Sequence, residues 1–210
     1  MKKLDRLMSY PARWRRSRGF GVHSPFAYHF ITKVLREKDA EYYAYAEIAA
    51  FCPRARRAGF NEIFAGKDMS VPEAHMLFRV LCHFNPTEII EIGHGHEVTN
   101  IIIERAVPQA KTVTWHPGKH IEPSKGITPF ILINQVPKDH YDEIHSYLAG
   151  HLSDEEAVVV VRNLPNLPAN RRLWQELTAS INFGMGFSDN YMGIFVGLHS
   201  LPRQNYEIIL

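Results

Sequence analysis

The run Ala157-Val-Val-Val-Val161 constrains this chain more than any other stretch. Successive side chains of a strand point to opposite faces of its sheet. Five consecutive apolar residues, four of them β-branched, therefore make a strand that is apolar on both sides. Such a strand belongs in the middle of a parallel sheet covered on both faces. Other short segments read as strands beside it: Ile89–Ile92, Lys111–Trp115, and Phe130–Ile133 after Pro129. Helical patterns separate them at Val98–Val107, Asp139–Leu148 and Ala169–Ser180, the last carrying Leu173, Trp174 and Leu177. Strands alternating with helices imply right-handed βαβ units and a parallel sheet. The end of the chain differs: Gly193–Leu198 and Tyr206–Leu210 read as strands with no helix between them. They predict an antiparallel pair closing one edge.

The first third is mostly helical. Ser24 before Pro25 is a helix start, because serine caps free N–H groups and proline suits the first turn. Phe26, Phe30, Val34 and Leu35 then share a face. A second helix is expected over Glu41–Phe51, stopped by Pro53. Ser70 and Glu73 have capping-box spacing ahead of Ala74, Leu77, Phe78 and Leu81. The expected fold is thus α/β: a Rossmann-like, doubly wound, mostly parallel sheet with antiparallel C-terminal edge strands, preceded by an N-terminal helical segment. Residues 1–85 form a helical extension packed on the core, and residues 86–210 form the Rossmann-like unit.

With 210 residues, 45% of them hydrophobic, the chain can bury one sizeable core. Its net charge of +2 does not mark a nucleic-acid binder, and no interleaved aromatic-basic motif does either. The charge is uneven, however. Lys2, Lys3, Arg6, Arg13, Arg15, Arg16 and Arg18 face only Asp5 in the first eighteen residues. This segment reads as a solvated, partly mobile arm, with a phosphate-rich or acidic partner as the sharper alternative. Cys52 and Cys82 form no CxxC pair and no zinc spacing, which fits a reduced, cytoplasmic protein. No apolar h-region follows the basic start, and no apolar run approaches the ~20 residues that span a bilayer.

In Glu88–Asn100, EIIEIGHGHEVTN, an apolar strand stops at Gly93, Gly95 follows, and a helix pattern resumes. Ligands of open α/β sheets bind at the carboxyl ends of the strands. A loop entering a helix there offers free N–H groups, and glycine lets a ligand approach the backbone. A tight turn that needs glycine for geometry alone gives the same letters.

Three stretches together resemble the class I S-adenosylmethionine-dependent methyltransferases. GVHSPFAYHF (Gly21–Phe30) is similar to a leader segment of one small branch, and EIIEIGHGHEVTN stands where that branch has its first cofactor motif. MGIFVGLHSLPRQNYEIIL is similar to its closing strands. The resemblance runs from about Gly21 to Leu210. It implies S-adenosylmethionine as cofactor and places Glu91, Gly93, His94, Gly95, His116 and Asn134 around it. The departures are specific. Glu97 stands at the loop's last glycine, and Trp115-His116-Pro117 replaces a strand ending in an acid. Asn134-Gln135 replaces an aspartate, and Arg162-Asn163 stands where branch members often carry an acidic pair.

Two functions fit these letters. One is methyl transfer to an oxygen or nitrogen of a small acceptor, with no residue marked as general base. The other is a non-catalytic member of the fold that binds a small molecule or a protein partner. His94, His96, His116 and His120 fall near one end of the sheet, but H-x-H in a loop without cysteine does not define a metal centre, and none is assigned. An edge strand or the helical leader offers a surface for a homodimer.

Overall fold

The computed structural model describes residues 3–37, 39–57, 69–93, 95, 97–118, 126–189 and 191–209. Its elements, in chain order, are α1 (Lys3–Ser17), α2 (Pro25–His29), α3 (Tyr45–Arg57), α4 (Val71–Phe84), β1 (Glu88–Ile92), α5 (Glu97–Ala106), β2 (Lys111–Thr114), β3 (Phe130–Ile133), α6 (Tyr141–Asp154), β4 (Ala157–Val161), α7 (Pro168–Ser180), β5 (Met185–Ser188), β6 (Gly193–Gly197) and β7 (Gln204–Glu207). A π-helical turn, Phe30–Leu35, continues α2.

The strands form one sheet in the order β2-β1-β3-β4-β6-β5-β7. β2, β1, β3 and β4 are mutually parallel. β6 runs against both β4 and β5, and β7 is parallel to β5. The fold is therefore Rossmann-like and doubly wound, with a reversed strand near its C-terminal edge. The pairing there differs from the expected hairpin. β6 and β7 do not pair, because β5 lies between them. The sequence MGFS of β5 holds a glycine and a serine and carries no strand pattern of its own. It is a strand because its neighbours bury it on both faces.

The period-two alternation of the strands sorts the core into two layers. Ile89, Phe130, Leu132, Val158, Val160, Ile194 and Val196 face α2 to α5. Ile90, Ile92, Ile131, Ile133, Val159, Val161 and Phe195 face α6 and α7. The AVVVV strand supplies both layers, as a central strand must.

Local signals in the first third act as read. Ser24 Oγ accepts from Ala27 N at 3.3 Å, and a capping box joins Ser70 and Glu73. Two expectations change. α3 begins four residues later than predicted and runs through Pro53, although an interior proline lacks the N–H that would bond the preceding turn. The basic arm is a helix, and it is tied down by polar groups. Arg13 Nη2 donates to Ile208 O (2.8 Å) and Asp189 O (3.2 Å), while Ser17 Oγ accepts from Ile209 N at 2.7 Å. That anchor pairs residues nearly two hundred positions apart, which no local pattern announces.

Candidate functional site

The register brings one set of side chains together at the carboxyl rim. Glu91 pairs with Leu132, and Leu132 with Val160. Two residues beyond these partners stand Asn134 and Arg162, on the same face of the sheet as Glu91. All three are buried. Asn134 Nδ2 donates to Glu91 Oε1 at 2.7 Å, and Arg162 Nη1 donates to Asn134 Oδ1 at 2.9 Å. Arg162 Nε lies 3.8 Å from Oε1 of Glu73, in the first turn of α4. Asn170 of α7 fixes the backbone behind this chain. Its Nδ2 donates to Asn134 O (3.1 Å) and Arg162 O (2.8 Å), and its Oδ1 accepts from Val136 N (2.9 Å). A buried carboxylate and a buried guanidinium are costly unless paired and hydrogen-bonded. Here each meets an opposite face of one amide.

The glycine loop rests on this chain. Gly93 has φ +83°, a left-handed conformation that glycine adopts without strain, and its Cα presses on the Gln135 backbone. A Cβ on Gly95 would come within 2.5 Å of Glu91 Oε1. Both glycines are therefore required by contacts inside the protein. Glu97 opens α5 and is exposed at the loop's mouth. His116, just past β2, is exposed, whereas Trp115 before it is buried. His94, His96 and His120 lie outside the described residues. Among the described residues no group of three or more His, Cys, Asp or Glu is placed to hold a metal ion.

A cleft of about 550 Å³ opens on the same side of the molecule, within the ~300–1,000 Å³ usual for small-molecule sites. Its walls come from α3 and α4 (Tyr45, Glu73, His75, Met76, Arg79) and from rim loops (Asn163, Asp189, Tyr191). Tyr45 and His75 stack at 3.8 Å with an interplanar angle of 3°. Burial lowers the His75 pKa, so the ring is neutral near pH 7. Arg79 closes the floor, with Nε donating to Val34 O (2.6 Å), Nη2 to Leu35 O (2.8 Å) and Nη1 to Tyr45 Oη (2.8 Å). Burial raises the Asp189 carboxyl, although the Met192 and Tyr191 N–H groups pull the other way. Asn163, two residues after β4, has φ +57°. Left-handed backbone is uncommon for residues other than glycine, and asparagine tolerates it best among them.

None of Glu91, Gly93, Gly95, His116 and Asn134 lines this cleft, but Glu73 does, and it meets Arg162. The chain Glu91–Asn134–Arg162–Glu73 thus joins the glycine loop to the cleft. Sequence reasoning missed Glu73, Arg162 as a partner of Asn134, and the cleft residues Tyr45, His75, Arg79 and Asp189. The capping box had already explained Glu73, and Arg162 read only as a missing acid. The parity of strand ends could have found the Glu91–Asn134–Arg162 set.

An adenosyl ligand is tested here by the loop and by the ends of β2 and β3. At the loop, Gly93 and Gly95 follow the carboxyl end of β1, with their Cβ positions taken up by the Gln135 backbone and the Glu91 carboxylate. At the end of β2 the exposed His116 imidazole can meet a hydroxyl. Asn134, buried between Glu91 and Arg162, holds the loop's support rather than facing outward.

No known protein-family profile matches the sequence, and no curated protein matches it. Among solved structures, the chain is similar to the O-methyltransferase TomG from Streptomyces achromogenes, determined with SAM. The identity is 17% and the TM-score 0.42, over 80% of this chain and 94% of that one. A score of that size carries no weight of its own, and the Rossmann-like assignment rests on the strand order. Among the described residues no helix is long and apolar enough to cross a membrane.

Proposed function

We propose that the chain is an S-adenosylmethionine-dependent, methyltransferase-like protein that transfers a methyl group to an oxygen or nitrogen of a small acceptor. The observation that carries this reading is the link between the glycine loop and the cleft through Glu91, Asn134, Arg162 and Glu73. Gly93 and Gly95 lie on the loop around the cofactor, with Glu91 holding it from beneath. His116 meets the ribose hydroxyls, and Asn134 positions Glu91. When bound, the cofactor supplies an electrophilic methyl group. The protein's part is orientation and exclusion of water, which suffice for much of the rate in a transfer of this kind. The cleft holds the acceptor between the Tyr45–His75 wall and Asp189.

A second reading is a non-catalytic ligand-binding or protein-interaction member of the fold. It is favoured by the end of β2, where Trp115 is buried and no acid follows, and by the burial of Asn134. Titration calorimetry with S-adenosylmethionine and S-adenosylhomocysteine separates the two. Micromolar binding to wild type supports the first. Absence of heat at millimolar ligand overturns it. Glu97→Gly removes a carboxylate from the loop's mouth and is expected to tighten binding. Unchanged affinity would remove Glu97 from the account of the loop.

A further inference from the structure

Among the described side chains of α1, the buried ones are polar. Arg13 and Ser17 are buried against the residues that follow β7, and Arg36 Nη1 donates to Ser17 O. The aromatic side is turned outward: Tyr10 is 53% exposed and Trp14 40%. The turn after α1 adds Phe20 at 60%, and α2 adds Tyr28 at 51%. Two contacts tie parts of this surface together. The Arg18 guanidinium sits 4.0 Å over the Trp14 ring, and the Tyr28 ring lies against the Cα of Gly19, next to Phe20. Gly19 (φ +82°) and Gly21 (φ +76°) hold Phe20 at the tip of a sharp turn. Arg15, Arg16 and Arg18, in the same stretch of chain, are exposed. A buried arginine beside an exposed tryptophan reverses the usual order of a surface helix, and with Phe20 exposed in the following turn it marks an interaction surface.

We propose that this face docks peripherally on an anionic lipid surface. The cations are drawn to the headgroups, and Phe20, Trp14 and Tyr28 enter the boundary between headgroups and acyl chains. The first eighteen residues carry +6 against +2 for the whole chain, so attraction is concentrated at the end that bears the aromatics. Phe20 has no polar tip and stands exposed in the turn after α1, which suits insertion at the boundary of headgroups and acyl chains. Trp14 and Tyr28 are amphipathic rings of the kind that settle at a bilayer interface. The docking is independent of methyl transfer and holds for either reading of the site.

The test is co-sedimentation of the full chain with phosphatidylcholine vesicles, with and without about 30 mol% phosphatidylglycerol, at low salt and at about 0.5 M salt. Binding is expected only to the anionic vesicles, and salt is expected to weaken it. Tryptophan emission is expected to be quenched by lipids brominated on their acyl chains, and Trp14→Ser is expected to abolish that quenching. Both Phe20→Ser with Trp14→Ser and Arg15→Glu with Arg16→Glu are expected to weaken binding at least about tenfold, with circular dichroism unchanged because all four side chains are exposed. Equal sedimentation with and without phosphatidylglycerol, or no sedimentation at all, would overturn the proposal. Labelled single-stranded RNA bound more tightly than anionic vesicles would also overturn it. So would a dimer seen by light scattering that dissociates in Phe20→Ser/Trp14→Ser while vesicles fail to bind.

Discussion

Replacing Asn134 by leucine tests the buried chain at the rim. Leucine is close to asparagine in size and offers no hydrogen bond. The change takes a donor at 2.7 Å from Glu91 and an acceptor at 2.9 Å from Arg162. Each lost bond is to a charged group and is worth about 1.5–3 kcal/mol. Glu91 and Arg162 keep other interactions, and burying the leucine side chain returns about 1–2 kcal/mol. The expected net loss is about 2–4 kcal/mol. For a chain of this length that corresponds to roughly 5–15 °C in Tm. Urea denaturation followed by far-UV circular dichroism measures it directly. A companion change, Asn134→Asp, keeps the acceptor for Arg162 but sets a second carboxylate against Glu91. One of the two carboxyls then binds its proton more tightly folded than unfolded. The penalty therefore grows as pH rises from the unfolded carboxylate range of about 4 through the raised folded value. If Asn134→Leu costs less than about 1 kcal/mol, or the Asn134→Asp penalty does not grow with pH, the chain is not a coupled network.

The two loop glycines are expected to differ. Gly93→Ala combines left-handed strain with a collision against the Gln135 backbone and should cost more than about 3 kcal/mol, whereas Gly95→Ala displaces only the Glu91 carboxylate and should cost about 1–3 kcal/mol. Equal losses by denaturant titration would contradict this. Arg79→Met leaves Val34 O, Leu35 O and Tyr45 Oη without their donor and should cost about 3–5 kcal/mol, with a fall in Tm that high salt does not reproduce. A loss below about 1 kcal/mol would mean those carbonyls find other partners. Burial lowers the pKa of both His75 and His83. The unfolded chain therefore takes up protons near pH 6.5 that the folded chain resists, so stability should decline as pH falls below about 6.5. His75→Phe, which keeps the stack on Tyr45, should flatten that decline, and an unchanged pH profile would contradict the burial argument.

Much of the architecture was legible because it is written in local periodicity. AVVVV demanded a central strand, and EIIEI followed by Gly93-x-Gly95 demanded a strand, a turn and a helix. Ser24 and Ser70 marked their helix starts. These signals act within a few residues, so the sequence alone determines them. β5 was not legible, because Met185–Ser188 becomes a strand through pairing with β6 and β7 rather than through its own pattern. Its insertion also kept β6 from pairing with β7.

For the site, the sequence settled which residue types end each strand, including the absence of an acid after β2. Only the tertiary structure decided that Glu91, Asn134 and Arg162 bond to one another, since that depends on strand order, register and the parity of the pleat across three non-adjacent segments. The same holds for α1. Its charge and aromatics are plain in the letters, but which side faces water follows from Arg13 and Ser17 meeting a chain end nearly two hundred residues away. Local order is set by short-range backbone preference and side-chain periodicity. Partners of buried charges are set by what the folded chain brings within about 3 Å of them, where desolvation leaves no alternative but pairing.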